Sequence, residues 1–138
     1  MRVSQRLDYS LRLLTALAQQ PPGTLSGAGE LAESLGLPRR FLELQANALA
    51  KRGLIECKRG TGGGCALARP AENITIVDVV EAIDGSVFDA PLATGTAASE
   101  VWRQAGTVLG DYLASVTLAD LAARQGALDA KRAPMYFI

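Results

Sequence analysis

The stretch that decides the fold is ELAESLGLPRRFLELQANALAKRGLIECKRGTGGGCALAR, residues 30–69. Apolar residues at helical spacing predict a short helix over 28–35, and Gly36 is a natural residue to end it. Pro38 suits the first position of a second helix, which continues until Gly53 stops it. Two short helices joined by a tight turn that contains glycine predict a helix-turn-helix.

The glycine-rich segment that follows lies between two candidate strands. Residues 54–58 (LIECK) and 65–69 (CALAR) alternate apolar and polar side chains, as β-strands do. A β-hairpin directly after a helix-turn-helix is a wing, and its glycines allow the backbone to turn sharply and approach a surface. The alternative is a phosphate-binding loop, which needs Lys and Ser or Thr after its last glycine, followed by a helix. Here Cys65 and a candidate strand follow, which excludes that loop.

The rest of the chain is predicted to be helical. Capping and apolar spacing indicate helices over 4–19, 74–84 and 98–115, with a last short helix beginning at 117 and a loop over 85–97. We therefore predict a mainly α fold with a small β-hairpin. Its parts are a winged helix-turn-helix domain (1–84), the loop (85–97), and a dimerisation helix with a C-terminal tail (98–138).

The composition and the distribution of charge indicate which classes of function are possible. Residues 1–70 carry ten Lys or Arg and five Asp or Glu, whereas the remaining 68 residues carry four and nine. This excess of five positive charges indicates that the first half meets a polyanion, although a solvated surface would give the same counts. No segment reads as a signal peptide or membrane span, and no cluster of catalytic side chains marks an enzyme. We expect a cytoplasmic protein.

Several segments together resemble one family. DYSLRLLTALA (8–18), residues 30–69, ITIVDVVEAIDG (74–85), VWRQAG and VTLADL are similar to the Rrf-two family of bacterial winged-helix regulators. The most specific part runs from Arg59 to Ala68, an Arg-Gly-x-x-Gly-Gly element followed by Leu-Ala. The resemblance implies a homodimeric transcription regulator that binds double-stranded DNA at a pseudo-palindromic operator, with repression as the expected role.

The sequence also departs from this family. Members with an iron–sulfur cluster carry three cysteines in the loop before the long helix, but residues 85–97 contain none and the chain has no His. Cluster ligation needs several thiolates or imidazoles close together, so we expect no cofactor and no metal. Cys65 stands where the family commonly has Tyr, and Gln45 stands where it prefers an apolar residue.

The expected DNA contacts follow from the winged helix-turn-helix. The first turn of its second helix enters the major groove, where arginine can bind guanine or phosphate and a carboxylate can accept from cytosine. The wing is expected to insert its arginine into the minor groove. The candidate DNA-binding residues are Arg2, Ser4, Arg39, Arg40, Glu43, Asn47, Lys58, Arg59, Gly60 and Thr61. Outside such a motif these would be ordinary solvated residues.

Cys57 and Cys65 flank the predicted wing turn. One interpretation is that two small residues simply pack there. The other is a thiol redox switch, in which oxidation or alkylation distorts the wing and releases DNA. The neighbouring Lys58 and Arg59 would lower a thiol pKa and favour that chemistry.

The helix over 98–115 has an apolar face too wide for a solitary surface helix. We predict that it crosses its twin in a symmetric homodimer. The interface candidates are Val101, Ala105, Val108, Leu109 and Tyr112. Trp102 is either a core residue or, with Phe88, part of a pocket for a small-molecule effector. The function that rivals DNA binding is a winged-helix protein-interaction module.

Overall fold

The computed structural model describes residues 2–90 and 94–132. Within them lie α1 (Gln5–Ala18), α2 (Ala28–Leu35), α3 (Arg39–Lys51), β1 (Ile55–Lys58), β2 (Gly64–Leu67), a 3₁₀ turn (Ala71–Asn73), α4 (Ile76–Asp84), α5 (Ala97–Ser115) and α6 (Leu118–Arg132). The two strands pair in antiparallel fashion directly after α3. The predicted fold class, a mainly α winged helix-turn-helix with a small hairpin, is therefore confirmed.

Helix ends follow the capping residues. The backbone N–H of Leu7 donates to the Ser4 hydroxyl at 3.1 Å, which caps α1. Gly36 ends α2 in the left-handed region, at φ 67°. Thr75 and Asp78 form a reciprocal capping box at the start of α4. These three predicted ends are confirmed.

Two boundaries differ from the predictions. Pro38 precedes α3 as its N-cap, with extended backbone angles, and the helix proper begins at Arg39. The last helix, predicted to be short, runs for 15 residues to Arg132. Its sequence after Leu121 has no long apolar stripe, but Ala, Leu, Arg and Gln have high helix propensity and sustain it. The terminal residues 133–138 lie outside the described residues.

The core contains residues from both the N-terminal and the C-terminal half of the described chain. Leu7, Leu14, Leu49, Val79 and Leu118 are almost completely buried in one cluster. Helix α6 packs against α1 and the 3₁₀ turn, so the C-terminal segment returns to the first helix. The division into 1–84, 85–97 and 98–138 stays a prediction, and this packing places α6 beside the first of those parts.

A short backbone pairing fixes the junction between α5 and α6. The N–H of Ile76 donates to the carbonyl of Val116 at 3.0 Å, and the N–H of Leu118 donates to the carbonyl of Ile74 at 2.9 Å. The chain therefore turns at residue 116 and is held against the start of α4. No helix among the described residues combines the length and the apolar character that crossing a membrane requires.

Candidate DNA-binding surface

Helix α3 turns one face to the core and the opposite face to solvent. Leu42, Gln45, Ala46 and Leu49 form the buried face. Phe41 meets the edge of the Tyr9 ring on α1, with the ring centroids 5.1 Å apart. These contacts pack α3 against the core and leave its opposite face exposed to solvent.

The outer face of α3, the second helix of the helix-turn-helix, carries the four residues of this helix that are predicted to contact DNA. Arg39, Arg40, Glu43 and Asn47 are all exposed. The guanidinium Nε of Arg39 donates to Glu43 Oε1 at 3.0 Å, an ion pair at the i,i+4 spacing. Exposed pairs of this kind are weak, so a nucleic acid can compete for either partner. Arg40 has no ion-pair partner within 4.0 Å among the described residues.

A fifth exposed residue on this face was missed by sequence reasoning. Leu44 exposes 57% of its surface, whereas Leu42 two residues earlier exposes 2%. The signal was present in the sequence, because Leu44 falls outside the apolar stripe that the buried residues form.

The wing is a tight hairpin with its basic residues at the tip. Strands β1 and β2 pair from Ile55 opposite Leu67 to Lys58 opposite Gly64. Gly60 and Gly62 turn the chain with positive φ angles of 92° and 76°. The tip is solvent-exposed, and it comprises the predicted residues Lys58, Arg59, Gly60 and Thr61.

The wing is anchored by a residue that the sequence did not reveal. The N–H of Ser26 donates to the carbonyl of Cys65 at 2.9 Å, and the N–H of Cys65 donates back to the Ser26 carbonyl at 2.8 Å. This pair ties the segment before α2 to the wing. The contact is so close that a Cβ on Gly64 would stand 2.6 Å from the Ser26 carbonyl carbon. A single paired residue leaves no periodic pattern, so no sequence signal identified it.

Cys57 and Cys65 are directly opposite each other in the hairpin and form a disulfide. Their Cα atoms are 4.1 Å apart, and the bond closes a loop across a sequence separation of eight. Cys57 is exposed and Cys65 is buried. A disulfide is not what simple packing of two small residues predicts, and the role of these cysteines, packing or redox switch, stays a prediction. With the bond formed, the two strands pair in register from Ile55 opposite Leu67 to Lys58 opposite Gly64.

The predicted residues at the N-terminus have different environments. Arg2 is exposed, whereas the Ser4 hydroxyl accepts the hydrogen bond that caps α1. Next to them, Arg6 forms an ion pair with Asp84 on α4 at 3.0 Å. Ser4 thus has a structural role, and its DNA contact stays a prediction together with that of Arg2.

Helix α5 presents an apolar face to solvent. None of its residues, 97–115, is buried in the single chain. Val101, Val108 and Tyr112 each expose more than half of their surface, and Ala105 is exposed as well. Leu109, the fifth predicted interface residue, is partly buried. The five residues are thus accessible or nearly so, as an interface with a second chain requires.

A cavity lies where α5 meets the end of α4. Its volume is about 570 Å³, and its lining includes Phe88, Trp102 and Gly106 with the charged residues Glu81 and Arg103. Trp102 is 49% exposed, so it is a lining residue and not a core residue. The open cavity combines aromatic surface with both signs of charge.

The fold and this surface together define a winged-helix protein of the transcription-regulator class. The profile of the Rrf2 family, described as iron-dependent transcriptional regulator, matches residues 3–124. A protein of Mycobacterium tuberculosis named as an HTH-type transcriptional regulator is 36% identical over 132 residues, covering 88% of this chain and 81% of that protein. The chain therefore belongs to the Rrf2 family of transcriptional regulators. The predictions of family, of DNA-binding transcription regulation and of a non-enzymatic protein are confirmed.

Solved structures agree with this assignment. CymR, the global cysteine regulator of Bacillus subtilis, is 25% identical with a TM-score of 0.83, covering 90% of this chain and 98% of its own. An oxidised form of Staphylococcus aureus CymR is 29% identical with a TM-score of 0.76, covering 88% and 96%. IscR of T. potens is 26% identical with a TM-score of 0.78, covering 91% and 88%.

The residues of this chain do not fit an iron–sulfur cluster. The sequence contains two cysteines and no histidine, and both cysteines lie in the wing, bonded to each other. Over residues 2–90 and 94–132, no group of three or more His, Cys, Asp or Glu side chains is arranged to hold a metal ion. A cluster requires several free thiolates or imidazoles around one centre. The donor set here supplies neither.

Proposed function

We propose that the chain is a homodimeric transcription regulator in the cytoplasm that represses genes by binding a pseudo-palindromic operator. The observation that carries this proposal is the outer face of α3, where Arg40 and Asn47 project from a helix whose inner face is fixed in the core. Arg40 is expected to bind guanine or phosphate, Glu43 to accept from a cytosine amino group, and Arg39 to exchange its intramolecular pair for DNA. Arg59 at the wing tip is expected to enter the minor groove, with Lys58, Gly60 and Thr61 along its edge.

Binding to duplex DNA as a function of salt tests the proposal. A protein that neutralises phosphates loses affinity steeply as salt rises. We expect Arg40→Ala to weaken binding about tenfold or more, since one base or phosphate contact is lost. Arg124→Ala, an exposed arginine on α6, is the matched control and should bind normally. Salt-independent binding, or none, would favour the rival function of a protein-interaction module.

Dimerisation through α5 is the second part of the proposal. The exposed apolar face of Val101, Val108 and Tyr112 supports it, because a soluble chain rarely leaves such a surface uncovered. Val108→Arg should place a charge at the seam. Analytical ultracentrifugation should then show the 14.5 kDa single chain in place of a species of twice that mass. A variant that stays dimeric would place the interface elsewhere.

The signal is proposed to be redox chemistry at Cys57 and Cys65. Their opposition in the hairpin supports a reversible disulfide, and a relative, S. aureus CymR, has a structure of an oxidised form. Peroxide would oxidise the exposed Cys57 thiolate to a sulfenic acid and release water or hydroxide. The Cys65 thiolate then attacks the sulfenic sulfur of Cys57 and displaces its hydroxyl group as hydroxide, which forms the disulfide. In a cytoplasmic protein such a bond is expected to be a sensor and not a permanent staple.

The redox test compares DNA affinity before and after peroxide. We expect the wild-type affinity to change, because the bond couples the two strands beside the wing tip. The double variant Cys57→Ser, Cys65→Ser should not respond. If it responds as the wild type does, the switch is not at these residues.

A small-molecule effector in the cavity beside α5 is the alternative signal. Phe88, Trp102 and Arg103 line that cavity, and Trp102 is the chain's single tryptophan. Its fluorescence therefore reports on this site directly. A compound that changes both Trp102 fluorescence and DNA affinity would support the effector, whereas a change in affinity alone would not.

A further inference from the structure

Leu44 is an apolar residue in the middle of a polar recognition surface. Helical residues are 100° apart around the axis, so Arg40, Leu44 and Asn47 fall within one narrow stripe. That stripe is opposite the buried residues Leu42 and Leu49. The exposed fraction of Leu44, 57%, shows that no described part of the chain covers it.

The surroundings of Leu44 decide between two kinds of apolar contact. The other exposed large apolar residues of the described chain lie on α5, on α6 and before α1. Leu44 is therefore a single apolar group among charged and amide side chains, whereas protein interfaces need a larger apolar patch. In the major groove each A·T pair presents one apolar group, the C5 methyl of thymine, beside its hydrogen-bonding edges. An isolated, exposed apolar side chain such as that of Leu44 can contact this methyl group.

We propose that Leu44 reads a thymine in the operator by contact with its C5 methyl group. This inference rests on the proposed DNA-binding function. It adds a base-specific contact that needs no hydrogen bond, placed between Arg40 and Asn47 along the helix. The operator half-site should then contain one thymine whose methyl group matters and which lies near the base pairs that those two residues reach.

Selection and methyl deletion test the proposal. Duplexes are first enriched from a random pool with the wild-type protein, and each thymine is then replaced by deoxyuridine, which lacks only the methyl group. At one thymine per half-site we expect the wild-type affinity to fall about fourfold, the effect of removing one buried methyl group. Leu44→Ala should lose affinity for the thymine duplex and show no further loss with deoxyuridine.

Leu128→Ala is the matched control, because Leu128 is an exposed leucine on α6. It should keep the wild-type pattern, and circular dichroism should show that both variants are folded. Equal deoxyuridine effects in the wild type and Leu44→Ala would overturn the inference, as would the absence of any sensitive thymine. In those cases the duplex is still bound, so the proposed function stands. Failure to enrich any duplex would overturn both.

Discussion

Helix α1 and helix α5 both carry an apolar stripe, yet α1 buries five side chains in the core of its own chain, whereas α5 buries none of residues 97–115. Helix α1 is surrounded by α2, α3, α4 and α6, which cover its stripe. The packing of α5 is mainly against α4, and its remaining face points outward. The same kind of pattern thus has two outcomes, set by how many neighbours the chain supplies.

The difference indicates what each helix contributes to stability. Burial of apolar surface within the chain stabilises the fold whatever the protein concentration. Burial against a second copy stabilises the fold only as far as mass action favours the dimer. We therefore expect substitutions in α1 and α5 to be distinguished by their dependence on concentration.

The largest expected effect is that of shortening a buried side chain of α1. Leu14 is completely buried, at 0% exposure, so Leu14→Ala should lower the free energy of unfolding by about 2–5 kcal/mol through lost burial and the cavity left behind. Urea unfolding followed by circular dichroism measures this change. The loss should be the same at low and high protein concentration.

The matched change on α5 is Val108→Ala, at a residue that is 62% exposed in the single chain. Its effect on unfolding should be detectable only at concentrations where the protein is dimeric. A loss that persists in dilute monomer would contradict the comparison, since it would mean that α5 is buried within its own chain.

Capping residues allowed much of the fold to be predicted from the sequence. Ser4, Gly36 and the Thr75–Asp78 box mark helix ends by local chemistry, and the structure places those ends as predicted. The wing was also predicted, because its glycines and alternating strands are local signals. The exposure of Arg40 and Asn47 followed from helical spacing alone.

The features that the sequence did not reveal depend on tertiary contacts. Ser26 pairs with Cys65 across 39 positions, and one residue pair produces no pattern. Gln45 lies on the buried face of α3, and its side-chain oxygen has no hydrogen-bond partner among the described residues. Burying such a group without a partner lowers the stability of the fold, and local sequence patterns do not show the size of this loss. Leu44 differs from these two residues, because helical spacing alone places it outside the buried stripe of α3.

The next largest effect on stability is expected at Gly64, where the wing lies against the backbone of Ser26. Gly64 has a positive φ of 147°, and a Cβ there would meet the Ser26 backbone at 2.6 Å. Gly64→Ala should therefore lower the free energy of unfolding by about 1–3 kcal/mol, because the backbone is strained and the Ser26–Cys65 pairing must shift. Thermal unfolding of the reduced protein measures the effect without a contribution from the disulfide.

Gly126→Ala is the control with the opposite expected sign. Gly126 lies within α6, and nothing stands within 4 Å of the added Cβ. Alanine there should stabilise the protein by about 0.5–1 kcal/mol, since glycine is a poor helix residue. If the two glycine variants behaved alike, the strain assigned to Gly64 would be wrong.

The smallest effect on stability is expected at Asp120, in the first turn of α6. The Thr117 backbone N–H donates to Asp120 Oδ2 at 3.0 Å, and this hydrogen bond is the main reason that the pKa of Asp120 lies below its usual value. A hydrogen bond with the Thr117 side chain and the positive charge of Arg124 lower that pKa further. The group therefore stabilises the fold above its unfolded-state pKa. That contribution is lost as the pH falls through the lowered, folded-state pKa. Asp120→Asn should lower the melting temperature slightly at pH 7, and the difference should vanish in acid.

Thr117→Ala separates the backbone and side-chain contributions of Thr117 to the lowered pKa of Asp120. It removes the hydroxyl that accepts from the Asp120 N–H at 3.1 Å, but it keeps the backbone N–H of residue 117 that holds the carboxylate. Because the backbone hydrogen bond is the larger cause, the pKa of Asp120, followed by carboxyl-carbon NMR, should rise only part of the way to its usual value. A complete return would mean that the hydroxyl organises the whole cap. In that case the junction would depend on a side chain and not on the backbone pairing that ties α6 to α4.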